Sequence, residues 1–99
     1  MLSKKELFNA KSSSHKIEAG LQIDVVNVGS YADTDKDGND VTVSVLVSAG
    51  GTVYSSISKT VTDMLDMLED IILAEGHALV EVTENTSNNG RKFYQLRML

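Results

Sequence analysis

Residues 59–76 read KTVTDMLDMLEDIILAEG, and this stretch decides how the rest of the chain is arranged. Val61, Met64, Leu65, Leu68, Ile71 and Ile72 recur at three- and four-residue steps, so a helix gathers them on one stripe. Asp63, Asp66, Glu69 and Asp70 fall mainly on the other side. Thr60, with Asp63 three residues on, predicts the helix start, and Gly76 predicts a left-handed stop. Acids in the first turn also suit the helix dipole. The pattern gives one continuous helix, with strand-like runs on both sides of it.

Three such runs come before the helix. From Leu21 to Tyr31, the residues Leu21, Ile23 and Val25 alternate, and Val26 and Val28 then continue on the opposite parity. A parity switch inside one strand is what a β-bulge produces, and Gly29 permits a bend just after it. A polar connection carrying Asp37-Gly38 leads to the second run, Val41 to Ser48. There Val41, Val43, Val45 and Val47 face one way and Thr42, Ser44 and Ser48 the other, with Leu46 the exception. Ala49-Gly50-Gly51 turns the chain into the third run, Thr52 to Ser58, where Tyr54 sits on the serine face. After the helix, Ala78 to Glu84 and Arg91 to Met98 alternate again, the latter with Tyr94, Leu96 and Met98 as its core face. The order β-β-β-α-β-β predicts a mainly β protein of the OB-fold type, a five-stranded Greek-key barrel. An open antiparallel sheet with one packed helix is the competing architecture. Residues 17–99 form that single domain, and residues 1–16 precede it as a basic arm with a helical turn at Lys4–Asn9.

The 99 residues suit one domain, and 41% hydrophobic content allows a small core. Cysteine is absent, which excludes disulfides, thiolate metal sites and cysteine nucleophiles and fits an intracellular protein. No apolar run nears the roughly 20 residues that cross a bilayer, and Met1-Leu2-Ser3-Lys4-Lys5 lacks the apolar stretch of a secretory signal. Membrane association is not expected. The net charge of −5 is unevenly spread: the two ends are basic, whereas the acids gather around Asp37 and on the helix.

Asp33, Asp35 and Asp37 followed by Gly38 match the opening of a calcium loop, but Ser44 stands where a bidentate Glu belongs. A solvated hairpin explains those residues better. His15 and His77 are the only histidines, and His77 is expected to sit against the helix C-terminus. Without a nucleophile elbow, zinc signature or phosphate-cradling glycine loop, no enzymatic activity and no cofactor are expected.

Asn88-Asn89-Gly90-Arg91-Lys92-Phe93-Tyr94 is different in kind. It brings amides, cations and aromatic rings to one loop–strand junction, the combination that unpaired nucleic acid requires. Cations meet phosphates, flat rings stack bases, and amides reach base edges. The predicted contacts are Tyr54, Phe93 and Tyr31 for stacking, Arg91, Lys92, Arg97, Lys59, Lys16 and Lys11 for phosphates, and Asn89 for polar contacts. Phe93 and Tyr54 are also eligible to cover the barrel floor or a dimer contact, and Tyr94 reads better as core.

Glu6-Leu7-Phe8-Asn9-Ala10-Lys11 with Ser14-His15-Lys16-Ile17, Gly51-Thr52-Val53-Tyr54-Ser55-Ser56, and Gly90-Arg91-Lys92-Phe93-Tyr94 together resemble the short single-stranded DNA-binding proteins of tailed phages, including those with protein-primed replication. The resemblance implies non-catalytic, sequence-tolerant coating of displaced single-stranded DNA in the bacterial host cytoplasm. Bacterial counterparts end in a flexible acidic tail that recruits partners; this chain ends Arg97-Met98-Leu99, which puts that route in doubt. Self-association, as a dimer or along the strand, is expected to offset the small number of cations. The alternative is an interaction module whose acidic helix and Asp-rich loop mimic DNA and bind a host protein.

Overall fold

The computed structural model describes residues 2–99; Met1, the first residue of the predicted arm, lies outside the described residues. Its elements are α1 (Lys4–Ser13), β1 (His15–Lys16), β2 (Gln22–Thr34), β3 (Asp40–Ser48), β4 (Val53–Ser56), α2 (Lys59–Asp63), α3 (Leu65–Glu75), β5 (Ala78–Thr86) and β6 (Lys92–Met98). All six strands join one sheet in the order β1-β4-β3-β2-β5-β6. Five strands were expected. The sixth is β1, two residues that pair in parallel with β4, His15 opposite Tyr54 and Lys16 opposite Ser55. The other ladders are antiparallel. The sheet curls without closing, and β1 and β6 are its two edges among the described residues.

The curl starts in β2. Its partner register on β3 slips between Val25 and Asn27, the bulge that the parity switch predicted. One extra residue turns the strand over, so Ile23, Val25 and Val28 all enter the same core. Val61, Leu65 and Leu68 of the helical segment close that core, with Leu46, Val80, Val82 and Leu96 from the sheet.

The helical segment is not continuous. α2 ends at Asp63, and the Met64 amide donates to Val61 O at 3.1 Å, a tightened turn that redirects the chain into α3. The helix also begins two residues earlier than expected, with Ser58 rather than Thr60 as N-cap. Ser58 makes no side-chain cap; its hydroxyl donates instead to Tyr94 O on β6 at 2.8 Å. Thr62 Oγ1 donates back to Ser58 O and lies 2.7 Å from the hydroxyl of buried Ser44 on β3. Gly76 is the left-handed stop, with φ 86° and its amide on Ile72 O. His77 does not cap the helix: its Nδ1 lies 2.6 Å from Asp24 Oδ1, which ties the helix exit to β2.

On β3 the alternation set the valines on one face and left open which face meets the core; Leu46, the exception in the pattern, is the residue that enters the main core. Val45 and Val47 lie on the opposite face with Val53, under α1, where Leu2 and Ala10 are buried and Leu7 packs beside them. The sheet therefore has apolar contacts on both faces, and the valine stripe marks the smaller one.

α1 is a ten-residue helix rather than a single turn. Ser3 accepts from the Glu6 amide and Glu6 Oε1 accepts from the Ser3 amide, a complete capping box. Gly29 lets this helix approach: a Cβ there would stand 2.9 Å from Leu7 Cδ2 and 3.0 Å from Leu2 Cβ. Gly29→Val should cost about 1–3 kcal/mol through overpacking, read as a lower urea midpoint. An unchanged midpoint would show that α1 does not rest on β2.

Candidate nucleic-acid interface

The open seam of the sheet forms a cleft of about 580 Å³. Lys16 and Ile17 line it from the end of β1, Ser55 to Thr60 from β4 and the start of α2, and Lys92, Phe93 and Tyr94 from β6. Local structure explains why these groups meet. Parallel pairing of β1 with β4 sets Lys16 beside Ser55, and the Ser58–Tyr94 hydrogen bond holds the α2 entrance against β6. On β6, Tyr94 and Leu96 turn towards the core, so Phe93 faces away from it. Phe93 is half-buried and belongs to neither apolar cluster.

No Asp or Glu lines this cleft, although the chain as a whole carries a net charge of −5. Lys16 and Lys59 are exposed and form no ion pair among the described residues. Lys92 lies 3.7 Å from Glu84, but its side chain is 73% exposed, so that pair is easily exchanged for another anion. The wall is otherwise hydroxyl-rich, with Ser55, Ser56, Ser58 and Thr60 around the exposed side chain of Ile57.

Four of the predicted contacts, Lys16, Lys59, Lys92 and Phe93, are brought together here. The others are not. Tyr54 packs half-buried against the main core and lies tilted on His15, with ring centroids 6.3 Å apart. It stands on β4 next to Ser55 and Ser56 of the cleft wall, but its ring is turned to the core, outside the lining. Tyr31 and Lys11 meet each other on the face that α1 covers, the ammonium 5.7 Å from the ring centroid. Lys11 also lies 3.9 Å from Asp33, and burial, then the Asp33 charge, raise the Tyr31 pKa above its usual 10.0. Arg97 donates to Glu81 Oε1 at 2.7 Å across the β5–β6 ladder, which satisfies its charge locally. Arg91 and Asn89 are exposed in the loop that leads to Lys92, outside the cleft lining.

Two of the three calcium candidates accept hydrogen bonds from nearby backbone amides. Asp35 Oδ1 accepts from the amides of Asp37 and Asn39, and Asp33 Oδ1 from that of Thr34. Among the described residues, no group of three or more His, Cys, Asp or Glu side chains is placed to hold a metal ion. Sequence reasoning missed the hydroxyl wall. The run Ser55-Ser56-Ile57-Ser58 beside Lys59 was its signal: small polar residues and one exposed apolar side chain next to a cation.

Comparison with known proteins bears on the whole chain. The sequence profile described as phage single-stranded DNA-binding protein matches residues 2–99. The single-stranded DNA-binding proteins of Bacillus phage PZA and Bacillus phage phi29 are each 31% identical to this chain over 104 residues, spanning 94% of it and 82% of the relative. No solved structure matches. The chain belongs to the phage single-stranded DNA-binding protein family.

Proposed function

We propose that this protein coats single-stranded DNA during phage replication in the host cytoplasm, as a non-catalytic binder that needs no cofactor. Family membership supports the ligand, and the carboxylate-free cleft with Phe93 on its wall supports the place. Bases stack on Phe93, while Lys16, Lys59 and Lys92 meet phosphates and Arg91 and Asn89 extend the contact along the loop. Stacking is indifferent to sequence because every base offers a flat face. The strand order β4-β3-β2-β5-β6, with the helical segment between the third and fourth of these in the chain, supports an OB-like barrel left partly open. β1 is then an addition at the edge. No helix among the described residues is long and apolar enough to cross a membrane.

Titration with oligo-dT, followed by intrinsic tyrosine fluorescence, tests this. Three lysines on phosphates predict a slope of about −2 in log K against log salt. Absence of binding at low salt, or a flat salt response, would contradict it.

A further inference from the structure

We propose that successive copies of this protein join head to tail, the basic outer face of α1 docking on the acidic outer face of α3 of the next copy. Both helices leave an apolar side chain uncovered between like charges. On α1, Phe8 is 76% exposed and shares its face with Lys4 and Lys5, which form no ion pair among the described residues. On α3, Met67 is 62% and Leu73 76% exposed, and Asp66 and Asp70 are exposed beside them at helical spacing. α3 contains no basic residue at all. One surface thus offers cations around a ring, and the other offers carboxylates around a thioether and a leucine.

The placement of the two helices decides what kind of contact this makes. α1 rests on the sheet face of Val45, Val47 and Val53, and α3 on the opposite face with Leu46. A copy cannot satisfy its own pair, because the sheet lies between them. Two different patches on opposite sides make a heterologous contact, which propagates as an open chain unless its rotation happens to close. An open chain suits a protein that covers a polymer. Neither helix lines the cleft, so the contact leaves the DNA site free. The inference rests on the proposed coating role for its purpose but not for its test.

The experiment is a charge exchange. Lys4→Glu with Lys5→Glu makes both faces acidic, and Asp66→Lys with Asp70→Lys makes both basic. Each double variant alone should lose association in sedimentation velocity at high protein concentration and low salt, without DNA. Each should also lose cooperativity on long oligo-dT by about tenfold or more. An equimolar mixture should restore both, because copies then alternate with matched charges at every joint. Unchanged association in the single variants, or no recovery in the mixture, overturns the proposal. Failure of the cleft assignment would appear elsewhere, as unchanged affinity of Phe93→Ala for a dT oligomer one copy long.

Discussion

Replacing Phe93 by alanine should weaken binding to short oligo-dT by about 5- to 150-fold, the range set by losing one stacked base at about 1–3 kcal/mol. The ring is available for this because strand alternation on β6 sends Tyr94 and Leu96 into the core and turns Phe93 away. Its loss should leave stability nearly unchanged, since it belongs to neither apolar cluster. Tyr31→Ala serves as the contrast. That ring packs under α1 with Lys11, so its removal should lower stability and leave short-oligomer affinity within about twofold of the parent, below the 1–3 kcal/mol of a stacked base. If Tyr31→Ala abolished binding and Phe93→Ala did not, the DNA would have to lie on the α1 face.

Leu46→Ala should be the costliest single truncation on β3, at about 2–5 kcal/mol. Leu46 is 1% exposed and touches the core that α2 and α3 close over the sheet. Val47→Ala, on the neighbouring position, should cost much less, because Val47 is only half-buried under α1. Against a total of about 5–15 kcal/mol for a small domain, the first change approaches global unfolding. Urea denaturation of both variants decides it. A larger loss for Val47→Ala would mean that the principal core lies on the valine face.

That pair of residues also shows how far the sequence could be read. Strand positions, the bulge near Val25 and the Gly76 stop were legible because each has a local signature: alternation, a parity switch, a glycine past an apolar stripe. Which face of β3 met the larger core was not. Alternation shows that a strand has two faces, but the four valines outweigh one leucine only when a single face is assumed to be covered. Here α1 covers the other. Ser3 and Glu6 spell out a capping box ahead of Leu7 and Ala10, so the helix was available to local reading. Its docking site was not, because that depends on Gly29 being bare in a distant strand.

The candidate site divides in the same way. Lys92 and Phe93 of the cleft lining were candidates from composition, since cations and rings at a loop–strand junction suit an unpaired strand. Lys16 and Lys59 joined them through the ladder of β1 on β4 and the early start of α2, both matters of tertiary pairing. Tyr54 was misplaced for a related reason. Its neighbours on the strand are serines that line the cleft, yet its own ring packs half-buried against the core. Arg97 looked free only because its partner, Glu81, is sixteen residues away.

The central claim is that the unpaired strand lies in the seam between β4 and β6. Photo-crosslinking of an oligo-dT carrying 5-iodouracil, followed by mass spectrometry of the joined peptides, reads the strand's position directly. The account predicts crosslinks at Phe93, with Tyr94 as the adjacent ring. Crosslinks at Tyr31 with none at Phe93 would contradict it.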